Sequence, residues 1–155
     1  MRKACRNLWH WLPVAVAIGT YACASHADAA TCSVTSSSGV DFGGYDPLSG
    51  TPMNGVATVQ VTCDKNATVT LSISGQSGFG NRKMTGASDV LNYQLYTDTT
   101  RQTIWGDGTG GTQTMTLNLK DNPRVGLFTI YGQVPGGQDV SVGAYNAMLI
   151  MTLSF

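Results

Sequence analysis

Residues 145–155, Tyr-Asn-Ala-Met-Leu-Ile-Met-Thr-Leu-Ser-Phe, restrict this chain more than any other stretch. No charge interrupts them. In an extended backbone Ala147, Leu149, Met151, Leu153 and Phe155 fall on one side. Met148, Ile150, Thr152 and Ser154 fall on the other, so both sides begin apolar and one ends half-polar. A strand this apolar belongs inside a sheet, with a neighbour on each flank. The sequence stops at Phe155, so no later segment supplies a neighbour. Either earlier strands flank it on both sides, or one edge waits for another molecule. A long, open, apolar edge is an aggregation liability unless it is used.

The first residues read as an export signal. Arg2, Lys3 and Arg6 make a basic start, and residues 11–24 are the apolar part. Small-x-small cleavage signals follow at Ala22-Cys-Ala24, Ser25-His-Ala27 and Ala27-Asp-Ala29, and the last places the mature start at Ala30. The apolar part falls short of the roughly 20 residues that cross a bilayer, so the expectation is export without membrane embedding. Lipid attachment at Cys23 fits poorly, because Gly19-Thr-Tyr-Ala22 is a poor lipid-attachment box. The expected division is therefore a signal peptide at 1–29 and one domain at 30–155.

Removing residues 1–29 simplifies the chemistry. His10, His26, Cys5 and Cys23 leave with the signal, and the sequence holds no Glu. Only Cys32 and Cys63 remain, and an even pair in an exported chain reads as a disulfide. Without His, Glu or a free thiol there is no His-based triad, Cys nucleophile or ordinary zinc site. The eight remaining Asp residues sit mostly beside Gly, Pro, Asn or Thr, where carboxylates bond local backbone. Gly106-Asp-Gly-Thr-Gly-Gly111 lacks the following helix that a phosphate loop requires. No enzyme, cofactor or metal is expected. With charged residues at only 12% and a formal net charge of zero, no basic footprint for nucleic acid exists.

Short alternating runs separated by turn residues fill the rest. Residues 57–63 and 67–74 read as the two arms of a hairpin turned at Asp64-Lys-Asn66. Residues 75–88 read as a polar loop carrying a solvated pair, Arg82 and Lys83. Leu91, Tyr93 and Leu95 mark a strand, as do Met115, Leu117 and Leu119, and then Phe128 and Ile130. No window shows an amphipathic helix. The expected fold is all-β, a sandwich of about seven strands.

Several motifs, in order along the chain, carry a resemblance. They are Ala30-Thr-Cys-Ser-Val34, Val40-Asp-Phe-Gly-Gly-Tyr-Asp-Pro47, Val59-Gln-Val-Thr-Cys63, Leu91-Asn-Tyr-Gln-Leu-Tyr-Thr-Asp98, Trp105-Gly-Asp-Gly-Thr-Gly110 and Tyr131-Gly-Gln-Val-Pro135, with the alternating C-terminal strand. Together they resemble spore coat protein U domains, a family that includes subunits of archaic chaperone–usher pili. The resemblance implies an immunoglobulin-like sandwich lacking its final strand. It implies the Cys32–Cys63 bridge. It also implies donor-strand complementation, a form of β-augmentation, beside Tyr145, Ala147, Leu149, Met151, Leu153 and Phe155. The implied partners are a periplasmic chaperone, an outer-membrane usher and neighbouring subunits, and the implied place is an extracellular fimbrium used in surface attachment and biofilm formation. A shaft subunit also needs an N-terminal donor strand. Ser25-His-Ala-Asp-Ala-Ala-Thr31 is short and poor in apolar side chains, which favours a minor or tip subunit. Two other readings stand beside this one. A tip adhesin or glycan-binding module would use Tyr45, Phe79 and Trp105, which flank Gly-rich loops. A self-complete coat protein would need no chaperone.

Overall fold

The structure is a computed structural model and describes residues 29–75 and 82–155. The signal peptide therefore lies outside the described residues except for Ala29. Among the described residues there are eight strands: β1 Cys32–Ser37, β2 Met53–Cys63, β3 Ala67–Gly75, β4 Arg82–Thr85, β5 Val90–Tyr96, β6 Met115–Leu119, β7 Val125–Val134 and β8 Leu149–Ser154. They form a five-stranded sheet ordered β1-β2-β7-β5-β4 and a three-stranded sheet ordered β6-β3-β8. Every strand pairing is antiparallel.

Period-2 patterning builds the core. Ala57, Val59 and Val61 of β2 lie opposite Ile130, Phe128 and Gly126 of β7. Val69, Leu71 and Ile73 of β3 face them from the smaller sheet, and all are buried apart from the solvent-facing residues between them. Fully burying one such aliphatic side chain contributes about 1.5–3 kcal/mol.

The hairpin expectation is overturned. β2 pairs with β1 and β7, while β3 pairs with β6 and β8. The turn at Asp64-Lys-Asn66 is thus an arch between the two sheets. Both arms alternate, and alternation states only that each has one apolar face. A hairpin sets those faces side by side, whereas an arch sets them against each other. What selects the arch is tertiary. The Asp64 carboxylate accepts from the Thr31 amide at 2.7 Å, and Arg124 donates to the Asn66 side chain at 2.7 Å and to the Asp64 carbonyl at 3.2 Å.

The polar-loop reading of residues 75–88 also fails in part. Strand β4 lies there, and Arg82 is only 2% exposed. It pairs with Tyr93 across β4 and β5, and its guanidinium donates to the Trp105 carbonyl at 3.5 Å. Burial lowers the pKa of Arg82 and raises that of the Tyr93 phenol. Lys83, of opposite parity, is exposed as expected.

Between β1 and β2 the chain crosses the inner face of the larger sheet. Phe42 rests edge-on against Tyr93, with ring centroids 6.0 Å apart. Gly132 makes room for it: a Cβ there would meet Phe42 and Val40 atoms at 2.7 Å. Gly55, opposite Gly132 on β2, would meet Val40 at 2.8 Å. The Val-Asp-Phe motif therefore fills a dimple that two facing glycines create.

Cys32 and Cys63 form a disulfide that ties β1 to the end of β2 across 31 residues. Closing a loop of that length stabilises by about 3–4 kcal/mol in the chain-entropy account. The double variant Cys32→Ala/Cys63→Ala is expected to lose most of that, read as a lower urea midpoint, with a slope that rises if it changes because the unfolded chain is less compact. An unchanged midpoint would show that the bridge contributes nothing.

Candidate functional site

The C-terminal stretch is an edge strand in its own chain. β8 pairs with β3 alone among the described strands, with Leu153 opposite Leu71, Met151 opposite Ile73 and Leu149 opposite Gly75. Directly opposed residues share a face, so Leu149, Met151 and Leu153 face inward. Ile73 is 1% exposed, yet Met151 beside it is 39% exposed. Sheet position, not residue type, separates them: β3 has a strand on each flank and β8 has one.

The paired strand is also shorter than its pattern. It begins at Leu149, not Tyr145. Upstream, Asn146 makes an isolated bridge with Thr85 of β4, with amide-to-carbonyl distances of 2.8 and 3.1 Å. Tyr145 lies against Gly86, and its hydroxyl donates to the Ser141 carbonyl at 2.7 Å. Ala147 and Phe155 are exposed and lie outside β8.

At the outer edge of the larger sheet β1 shows the same incompleteness. Val34 lies opposite Val61, which is fully buried, but is itself 46% exposed. A cavity of about 330 Å³ opens where β1 ends. Ser37, Gly39 and Val40 line it together with Ala147, Leu149 and Met151, and the buried Ile73, Leu95 and Trp105 form its floor. A neighbouring cavity of about 700 Å³ continues past Tyr145 and Asn146 beneath residues 140–146. The two edge segments and the buried floor together make an apolar groove with backbone on both walls.

The aromatic candidates fare differently. Trp105 is 1% exposed, which corrects its reading as a surface-binding residue. Its indole N–H donates to the Leu71 carbonyl at 3.2 Å, so it anchors the floor of the groove. Tyr45 is half-buried, and its hydroxyl donates to the Pro135 carbonyl at 3.1 Å and accepts from the Gln138 amide at 2.6 Å. Phe79 lies outside the described residues.

Gln138 carried no signal in the sequence. Its side-chain oxygen accepts from the Asn92 backbone and side-chain amides at 2.8 and 2.9 Å, and its amide donates to the Asn92 carbonyl at 2.9 Å. This side chain serves the β5 backbone as a short strand would, and it fixes the start of the segment that roofs the larger cavity.

Three of the Asp side chains act as local turn formers. Those of Asp41, Asp46 and Asp107 each accept from a backbone amide two residues on. Among the described residues no group of three His, Cys, Asp or Glu could hold a metal ion. No described helix is long and apolar enough to cross a membrane.

A fold of two antiparallel sheets, closed by one disulfide and split by an apolar groove, defines an all-β domain built for assembly or binding. The chain belongs to the spore coat protein U domain family, whose model matches residues 19–152. It is 34% identical over 142 residues to Protein U of Myxococcus xanthus, covering 80% of this chain and 77% of that one. Its fold is similar to that in the crystal structure of the CsuC–CsuE chaperone–tip adhesion subunit pre-assembly complex from archaic chaperone–usher Csu pili of Acinetobacter baumannii. The TM-score is 0.56 at 20% identity, and the match covers 82% of this chain and 40% of that one, so this chain spans well under half its length.

Asp98 offers a test of the loop that leads to Trp105. The Thr100 hydroxyl, then the amides of Thr103 and Gln102, bond its carboxylate and hold its pKa at about 2. A depressed pKa stabilises the fold above the ordinary carboxylate range, and that contribution is lost as pH falls through the folded value. Between about pH 4 and about pH 2 the wild-type melting temperature is expected to fall more steeply than that of Asp98→Asn. Parallel curves would contradict this.

Proposed function

We propose that this protein is an exported structural subunit of a chaperone–usher pilus, and that it accepts a β-strand from another chain beside β8. The observation that carries the reading is the inequality across one sheet: Ile73 is sealed while Met151, opposite it, is open to solvent. The sandwich is then an immunoglobulin-like one short of a strand. A strand laid in the groove would give the free flank of β8 a hydrogen-bonding partner and cover Leu149, Met151 and Leu153. Main-chain bonds would supply affinity, and alternate side chains over Ile73, Leu95 and Trp105 would supply specificity. A periplasmic chaperone would lend that strand first, and a neighbouring subunit would replace it after passage through an outer-membrane usher. The acceptor residues are those of β8 together with Tyr145, Ala147 and Phe155 at its ends.

Membership in the spore coat protein U family supports this role, and the fold shared with a chaperone-bound tip adhesion subunit agrees with it. A minor or tip position follows from the apolar-poor sequence before Cys32. The proposed site of action is the extracellular fimbrium, in surface attachment and biofilm formation. Of the three aromatics of the glycan-binding reading, Trp105 is buried and Tyr45 is tied to Pro135 and Gln138, while Phe79 lies outside the described residues.

Expression in the periplasm with and without the chaperone tests the proposal. Alone, the chain is expected to aggregate or be degraded, and with the chaperone to accumulate as a soluble one-to-one complex. A soluble monomer that refolds reversibly by itself would favour the self-complete coat protein instead.

A further inference from the structure

The outer face of the larger sheet, which faces away from the groove, carries a second constellation. None of β1, β2, β5 and β7 contains a charged residue. Leu95 and Ile130 point into the core at 0% and 3% exposure, so Tyr96 and Tyr131, one position on, point outward. The two tyrosines are direct partners across β5 and β7, and Val56 of β2 is the partner of Tyr131 on its other side. The row Tyr96, Tyr131, Val56 spans two strand spacings, about 10 Å. Both tyrosines are half-buried, and Val56 is 53% exposed. An amide row runs beside it: Gln133 lies opposite Asn54 and donates to its side-chain oxygen at 3.2 Å.

Arg101 brings a positive charge to these rows. Its Nε donates to the Gly132 carbonyl, between Tyr131 and Gln133, at 3.5 Å, and its Nη1 donates to the Thr99 carbonyl at 3.2 Å. A guanidinium has five N–H donors, so two carbonyls leave most of them for another acceptor and do not neutralise the charge. Burial raises the pKa of the Tyr96 phenol, and the Arg101 charge opposes that rise, which sets guanidinium and ring close together. The backbone at Arg101 is left-handed, with φ 56°, a region that L side chains seldom enter. Glycine or asparagine would make the same turn with less strain. The loop is pinned, too. The Asp98 carboxylate accepts from the Gln102 and Thr103 amides at 3.2 and 2.8 Å, and the Arg101 amide donates to the Asp98 carbonyl at 3.2 Å. A strained residue in a pinned loop thus delivers its guanidinium to a fixed place beside two rings.

We propose that this face binds a carboxylated saccharide chain. Tyr96, Tyr131 and Val56 stack on the C–H faces of the sugars, Arg101 pairs with a carboxylate, and Gln133 and Asn54 bond hydroxyls. Each part calls for that chemistry. Rings with an apolar body and a polar tip suit a ligand with an apolar face and a polar rim. A planar guanidinium suits a planar carboxylate. A flat face, unlike a cleft, suits a chain of sugars better than one small molecule. A single-stranded nucleic acid would also stack on tyrosines, but it needs a cationic groove that tracks its phosphates, and these four strands supply no cation. The site lies on the opposite side of the sheet from the groove, so it does not depend on strand acceptance.

A magnetic-resonance titration of the labelled full chain, free or in its chaperone complex, tests this with a galacturonic acid hexamer as the probe. Amide shifts are expected at residues 94–96, 101 and 131–133. The neutral hexamer cellohexaose is expected to bind about ten-fold more weakly, the size of a hydrogen bond to a charged group. Arg101→Asn should erase that preference, and Tyr131→Thr should weaken both hexamers about five-fold. Asparagine accepts a left-handed backbone and threonine a strand, so both variants should fold, and unchanged amide shifts in β1 and β3 check that. Lys83 is an exposed cation opposite Asn92, about 13 Å along the sheet from Tyr96. Lys83→Gln should leave affinity within about two-fold, because solvent and salt screen a charge at that distance. Shifts that map elsewhere, or no binding of the acidic hexamer, would overturn the proposal. Equal losses from Arg101→Asn and Lys83→Gln would do so as well, since they mark unspecific attraction of a polyanion. Tighter binding of a thymidylate hexamer than of the acidic sugar would make the face a nucleic-acid platform and would also overturn it.

Discussion

A strand edge is a row of amide and carbonyl groups that must be bonded by something, and an inward-facing methionine must be covered by something. Among the described residues, the outer edge of β8 has no strand partner and Met151 is only partly covered. The register of β8 with β3 is complete from Gly75 to Thr70, yet its inward side chains stay half in solvent. β1, at the edge of the other sheet, leaves Val34 in the same state. Water can satisfy the backbone but cannot shield the side chains. On the proposed reading the molecule takes up one more strand here, and its remaining architecture keeps that edge in a fixed place.

Several features hold the groove open instead of letting the sheets collapse. The disulfide and the Asp64–Asn66 arch pin the start of β1 to the end of β2. Val40 and Phe42 fill the dimple over Gly55 and Gly132, which anchors the wall after β1. Trp105, bonded to the Leu71 carbonyl, makes the floor rigid and apolar. Gln138 substitutes its side-chain amide for a missing strand neighbour of Asn92, so the segment that follows can leave the sheet and roof the larger cavity. A cavity that would otherwise shrink is thus framed by covalent, packed and hydrogen-bonded walls.

Much of this was legible in the sequence, with clear boundaries. Period-2 alternation located the strands and their inward faces, and the two mature cysteines located the bridge. Alternation is silent about which sheet a strand joins, so β2 and β3 read as a hairpin although they face each other across the core. Arg82 read as solvated because a basic pair usually is. Only its place opposite Tyr93 shows that parity sends it inward and its neighbour Lys83 outward. Trp105 sits among glycines, a setting that suggests exposure, but its indole finds a carbonyl on the other sheet. Gln138 is one polar residue in a loop, and its role depends on Asn92, 46 residues away. The expectation of a missing strand came from the family resemblance, not from counting strands.

The most direct measurement is a high-resolution structure of this chain bound to its periplasmic chaperone. The account predicts a chaperone strand seated between β8 and the segment after β1, hydrogen-bonded along the free flank of β8 and covering Met151, with Trp105 beneath it. A complex in which the chaperone binds elsewhere, leaving that flank in water, would contradict the account.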